Sequence, residues 1–227
     1  MALRTRFCPG AASLTALASF LFAAGCTTVT EVTPADTLIW CGLDYTKVKM
    51  IGSSDFRQPD QIFPGMLEKW NELFIREMLP KLADMAPVVR PDTAAVYARN
   101  NTATPSQILR EDGSYDGTVR PSDITEADIA EIVRSYQLNS NVGLGLVFIV
   151  DRLVKRHETG CMYVVFFDVA SRNVVLSQRV CGEAGGAGFR NYWFNPVKRT
   201  VAKLPGIYRK AAAGHCQEQK DRIKAGA

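Results

Sequence analysis

A chain of 227 residues and 25.0 kDa has room for one large domain or two small ones. Hydrophobic residues at 47% and charged residues at 22% exclude disordered and collagen-like chains. The formal charge of +4 falls to about +2 once the leading segment with Arg4 and Arg6 and no acid is set aside, and no Lys/Arg block remains, so nucleic acid is not the expected partner.

The amino terminus reads as an address. Arg4 and Arg6 precede Ala11 to Ala24, a run without charge. It is shorter than the roughly 20 residues of a transmembrane helix and suits the apolar core of a secretory signal. Ala23-Ala24-Gly25-Cys26 then places small residues before a cysteine and resembles the lipobox of bacterial lipoproteins. That resemblance implies cleavage before Cys26, lipidation of its thiol and acylation of the new amino group. Several acyl chains anchor far more firmly than one. Ala23 stands where that motif usually has Leu, which leaves the alternative of an ordinary signal peptide and a soluble periplasmic or secreted protein. Thr27 rather than Asp after the cysteine favours the outer membrane, with the domain facing the periplasm. The expected organisation is a signal at 1–25, a tether at 26–36, an α/β domain at 37–216 and a polar tail at 217–227.

Thr37 to Ile51 is β-branched and aromatic and predicts a strand. Met66, Leu67, Trp70, Leu73, Phe74, Met78 and Leu82 recur at three and four, which predicts an amphipathic helix from near Pro64 that Pro80 kinks or ends. The face carrying these residues is expected to pack on a sheet. A second strand is expected around Ala94 to Ala98, and a long loop over Asn100 to Ser122. Thr125 with Asp128 has the pattern of a capping box opening a helix through Tyr136. Residues 143–156, 160–169 and 173–181 predict three strands of an antiparallel meander joined by tight turns. Leu144 to Val150 is apolar at nearly every position, as in a central strand covered on both faces. A last helix uses Phe189, Tyr192, Trp193, Val197, Val201 and Leu204, with a polar tail from Lys210 that is expected to be frayed except near Cys216. This order predicts a single α/β domain, a two-layer sandwich with a mixed sheet and packing helices.

With Cys8 in the signal and Cys26 lipidated, four cysteines remain. An even number in an exported chain implies disulfides. Cys161 and Cys181 fall nearly opposite each other in the meander and are expected to pair, leaving Cys41–Cys216 to tie the tail to the first strand. Only His157 and His215 are available for zinc or for activating a thiol, and there is no C-x-x-C, so disulfides are the better reading.

Two loops have the look of ligand sites. Gly182 to Gly188 lies between a strand and a helix, where a phosphate loop would sit, but its spacing fits neither G-x-G-x-x-G nor the P-loop, and a turn needing positive φ is the simpler reading. Asp112, Ser114, Asp116 and Asp123 resemble the alternating oxygen ligands of a calcium loop, with Arg120 and Pro121 against it; a solvated acidic loop is the commoner outcome. No catalytic motif is recognisable, and neither a cofactor nor a catalytic residue is expected.

Residues 143–193 run from a buried strand through YVVFFD and VVLSQRV into Gly-Phe-Arg-Asn-Tyr-Trp at a helix start. This layout resembles a group of uncharacterised bacterial lipoproteins with a GFRNYW-type segment and, more loosely, the α/β domains of TolB amino-terminal and CsgG-like lipoproteins. LDYTKVKMIG and KWNELFIRE extend the likeness over most of the chain after Cys26. Together with the lipobox, the short tether and the missing catalytic motif, the resemblance leads to the expectation of a non-enzymatic, bilayer-anchored module that binds another envelope protein. Phe189, Arg190, Tyr192 and Trp193 form its candidate contact surface, with packing of the aromatics in the core as the competing reading. The alternative is a small-ligand or metal binder, or a hydrolase, using the 182–188 or 112–123 loop.

Overall fold

A computed structural model describes residues 37–110 and 123–224, with side chains described as far as His215. All the described residues belong to one compact unit. In chain order the elements are β1 (Thr37–Asp44), β2 (Lys49–Ile51), α1 (Pro59–Ile62), α2 (Gly65–Glu77), α3 (Leu79–Leu82), β3 (Val88–Pro91), α4 (Ala94–Asn100), β4 (Ile108–Leu109), α5 (Glu126–Arg134), β5 (Leu144–Val154), β6 (Thr159–Asp168), β7 (Val174–Glu183) and α6 (Phe189–Lys224). The α/β architecture, the mixed sheet and the closing antiparallel meander are as the sequence implies.

The eleven-residue strand β5 organises the sheet. One edge runs antiparallel to β6, which pairs antiparallel with β7. The other edge takes both β1 and β2 in parallel, so these two are one track with an interruption. Asp44 lies beside Ile149 and Lys49 beside Arg152, so five steps on the outer track match three on β5. The two surplus residues loop out at Tyr45–Val48, a local break of the kind that re-aims side chains at a sheet rim. The single strand expected over 37–51 is this broken pair. Beyond it, β3 pairs with β1 and β4 with β2, both parallel.

Helices cover both faces. On one, α2 and α6 bury Trp70, Phe74, Trp193 and Phe194 against Trp40, Leu146, Phe148, Val164 and Phe166. Trp40 stacks on Phe74 at 3.7 Å and meets Phe148 edge-on at 5.1 Å. On the other face a smaller core joins Val96 of α4 and Ile129, Ile132 and Val133 of α5 to Ile39, Cys41, Val147, Ile149, Val165 and Phe167. The unbroken apolar run of β5 reflects this double cover.

Local chemistry sets the helix ends. The helix expected from Pro64 to Leu82 divides at Met78 into α2 and α3, with Pro80 in the first turn of α3. Thr125 and Asp128 form the capping box reciprocally, Asp128 N–H donating to Thr125 Oγ1 at 3.1 Å and Thr125 N–H to Asp128 Oδ2 at 2.8 Å.

Three expectations are corrected. Residues 94–98 are the first part of helix α4, and the strand in that region is Val88–Pro91. A helical turn places Val96 and Asn100 on one inward face, and the contacts of both override the β preference of Val and Tyr. Helix α6 continues past Lys210 to Lys224, so the tail is not frayed from there. Cys161 and Cys181 are disulfide-bonded across directly opposed positions of β6 and β7. Cys41, in contrast, is a free and buried thiol, so the expected bond to Cys216 is not formed. Cys41 faces the smaller core and its Sγ–H points at Ile39 O, 3.6 Å away. Burial pushes its thiol well above the ordinary range.

Beyond Trp40 the outer edge of β1 leaves β3, and two buried amides take over. Leu43 N–H donates to Asn71 Oδ1 at 2.8 Å, Tyr45 N–H donates to Asn100 Oδ1 at 2.7 Å, and Leu43 O accepts from both Nδ2 groups. Asn71→Ala leaves the Leu43 N–H buried without its acceptor, and we expect a loss of roughly 2 kcal/mol in urea unfolding; an unchanged midpoint and slope would contradict this edge role.

Candidate functional site

The break between β1 and β2 opens beside a cluster of charged side chains. Gln107 Nε2 reaches the carbonyls of Tyr45, Thr46 and Val48 at 2.9, 3.1 and 3.2 Å and pins the looped-out residues. A cleft of about 310 Å³ lies there, and Lys47, Lys49, Ser106, Gln107, Asp123 and Asp128 contribute to its lining. On its inner side Lys49, within β2, points its ammonium at Asp123 Oδ1, 3.0 Å away. Arg152, beside Lys49 in the register, donates to the same oxygen at 2.6 Å.

Behind this pair is a buried carboxylate. Asp151 accepts Arg152 Nε at 2.8 Å and Arg179 Nη2 at 2.7 Å on Oδ2. Arg179 sits in β7, and its Nη1 lies 3.5 Å from Cys181 Sγ. Three strands therefore contribute to one ladder of charge: Lys49 from β2, Asp151 and Arg152 from β5, and Arg179 from β7. The strand break and the register of β5 bring these four residues together, and the sequence singles out none of them; of the groups they meet it picks out Asp123. Their signal in the sequence is Asp151-Arg152 inside an otherwise apolar strand, an expensive pair to bury unless it is matched.

A second buried carboxylate closes β1. Asp44 accepts from Thr46 N–H at 2.9 Å, Arg99 Nε at 3.1 Å and Tyr136 Oη at 2.8 Å. It joins β1, α4 and the end of α5, and burial followed by the Asp44 charge raises the Tyr136 hydroxyl well above its ordinary value.

The glycine segment is not built as a phosphate cradle. Gly182 is the penultimate residue of β7, opposite Gly160 of β6. A Cβ on either would come within 2.8–2.9 Å of Pro196 of α6, so both are glycine because the helix docks there. Gly186 and Gly188 have φ of +109° and +78°, the turn geometry the sequence implied. Ala184 N–H is committed to Glu158 O, and Gly185 N–H to Tyr192 O.

Phe189, Arg190, Tyr192 and Trp193 come together at the start of α6 but not as one surface. Trp193 is buried, stacks on Phe56 and lies 3.3 Å through Nε1 from Asp55 Oδ2. Phe189 packs between Phe56 and Trp70. Arg190 is exposed, and its carbonyl accepts from Trp70 Nε1 at 2.8 Å. Tyr192 is half-buried, accepts from Lys155 Nζ at 3.2 Å and donates to Glu158 Oε1 at 2.9 Å. For the two inward aromatics the core reading holds.

Of the suggested calcium loop, Asp112, Ser114 and Asp116 lie outside the described residues. Asp123 is described, and its Oδ1 is taken by two cations. Among the described residues no group of three or more His, Cys, Asp or Glu could hold a metal ion. His215 is buried with Nδ1 3.7 Å from Asp168 Oδ2, whereas His157 is exposed in the β5–β6 turn. No described helix is long and apolar enough to cross a membrane. Compared with family models, curated proteins and solved structures, the chain matches none.

Two outcomes follow. Hydrogen bonds from Lys49 and Arg152 hold the Asp123 carboxyl at about 2, below its unfolded value of about 3.9. Its contribution to stability is therefore fully present above about pH 4 and lost as pH falls through about 2. A carbon-13 carboxyl titration should show that midpoint, and Arg152→Gln should move it upward; an ordinary midpoint in the native protein would refute the contacts. Separately, Trp193→Ala should cost about 3–5 kcal/mol, whereas Arg190→Ala should stay within about 0.5 kcal/mol. Equal small effects in thermal or urea unfolding would return Trp193 to the surface.

Proposed function

We propose that this chain is an exported lipoprotein, anchored in the outer membrane through acylated Cys26, whose α/β domain binds another envelope component without catalysing a reaction. The observation that carries the exported part is the Cys161–Cys181 disulfide. Such a bond persists in oxidising compartments and is rare in a reducing cytosol. It lies far along the chain from the Ala23-Ala24-Gly25-Cys26 segment and supports the same destination on separate grounds. The likeness of residues 143–193 to envelope lipoproteins of α/β fold points the same way.

The binding role rests on where polar side chains are placed. The buried carboxylates Asp44 and Asp151 are saturated by cations or donors from neighbouring elements, which suits a rigid scaffold. Recognition then falls to the cleft at the strand break, which has both an opening and exposed charge.

The test is metabolic labelling with a fatty acid, membrane fractionation and crosslinking in intact cells, wild type against Cys26→Ser. Acylated, membrane-bound wild type and unlabelled, released Cys26→Ser are expected, with a defined envelope partner crosslinked only to the anchored form. Absence of label on wild type would overturn the anchor. A labelled protein that crosslinks to nothing defined would overturn the binding module.

A further inference from the structure

The cleft at the β1–β2 break holds a cation pair whose counter-ion differs from the buried Asp151 behind it. Asp151 is 1% exposed and takes contacts from two arginines. Asp123, by contrast, is 75% exposed, and one oxygen of it faces both Lys49 and Arg152. Lys49 itself is 8% exposed. A nearly buried ammonium needs an anion beside it, because desolvation is repaid only by close pairing. Here that anion lies on the solvent side of the pair, where another carboxylate could take its place.

The Arg152 guanidinium and the Lys49 backbone are held by groups other than Asp123. Asp151 fixes the Arg152 guanidinium through Nε at 2.8 Å, with Nη2 3.3 Å from its other oxygen. Arg179 braces Asp151 from β7. Lys49 is held within β2 by its register with β5. Among the described residues, the remaining charges lining the cleft are Lys47, which acts on Asp128 at longer range, and Asp128, which is committed to the Thr125 cap. Beside the pair lies a cleft of about 310 Å³ with Ser106 and Gln107 in its wall, at the lower end of the size of small-ligand pockets, roughly 300–1,000 Å³.

We infer that Lys49 and Arg152 form a binding site for a carboxylate group of an exogenous ligand, and that Asp123 is its resident intramolecular occupant, displaced when the ligand binds. The ligand is a small molecule or peptide presenting a carboxylate to the pair, with its remainder in the adjoining cleft. Binding exchanges one carboxylate for another and involves no covalent step. The depressed titration of Asp123 agrees with a position that favours a carboxylate. The inference does not rest on acylation of Cys26, and its test uses no membrane.

The test is chemical rescue. Asp123→Ala, confirmed as folded by circular dichroism, is titrated with sodium acetate and, at matched ionic strength, with sodium chloride, following amide and Arg Nε resonances. Saturable shifts at Lys49, Arg152 and residues 46–48 are expected with acetate and not with chloride. Because Asp123 competes for the pair, binding is expected to be about tenfold weaker in the wild type, the factor for a site left open about a tenth of the time. The shifts should vanish in Asp123→Ala/Arg152→Gln. If Asp123→Ala does not fold, Asp123→Asn receives the same titration. Shifts that do not saturate, that chloride reproduces, or that persist without Arg152 would overturn the site and leave Asp123 a structural ion pair.

Discussion

Beyond Trp40 the outer edge of β1 has no strand beside it among the described residues, yet its backbone groups are buried and must find partners. Asn71 and Asn100 supply them, one from α2 on the larger core and one from α4 on the smaller. A side-chain amide carries a donor and an acceptor at about peptide spacing, so each stands in for a residue of a missing strand. This constraint fixes the helices against β1 from both sides. It also explains Gly42, at φ +127°, where a Cβ would lie 3.0 Å from Val96 and 3.1 Å from Asn71 Oδ1. With β1 tied in this way, its continuation has to step outward before rejoining β5 as β2, and the cleft lies at that step.

The other end of the sheet depends on close approach instead of hydrogen bonding. Gly160 and Gly182 face each other across β6 and β7, and Pro196 sits on them. A proline inside a helix removes the bond to the carbonyl four residues back. Here that carbonyl is Tyr192 O, which accepts instead from Gly185 N–H at 3.1 Å, while Thr200 Oγ1 donates to the Pro196 carbonyl at 3.0 Å. The kink-prone turn of α6 is thus the turn pressed against a side-chain-free patch of sheet. Two side chains from the same helix cap neighbouring carbonyls of the edge strand, Lys203 on Cys181 O and Asn195 on Glu183 O, both at 3.0 Å. They block part of an edge that would otherwise invite another strand.

What the sequence made legible follows from how local each cause is. The capping box at Thr125, the division of the helix before Pro80 and the three strands of the meander depend on neighbours within a few residues, and all are present. The Cys161–Cys181 pairing was readable because a hairpin sets its register locally. The strand expected at 94–98 failed because Ala-Ala-Val-Tyr-Ala satisfies either period, and the deciding contact, Asn100 to Leu43, spans 57 residues. The Cys41–Cys216 bond failed for a related reason: parity arithmetic counts cysteines but does not say which face of β1 Cys41 occupies. The charge ladder was invisible because Lys49, Asp123, Asp151 and Arg179 have no sequence spacing in common; only the five-against-three register across β5 aligns them.

That register also separates two uses of a carboxylate in one fold. Asp44 and Asp151 are enclosed, each meeting donors from other elements, and removing a partner from such a group leaves an uncompensated buried charge. They behave as framework. Asp123 meets equally strong cations from the solvent side, with its bulk outside the sheet, so exchanging it for another anion need not strand a charge in the core. The break in the β1–β2 track creates this difference. Without the two surplus residues Lys49 would not stand at the end of an open cleft, and the Lys49–Arg152 pair would be one more buried bridge.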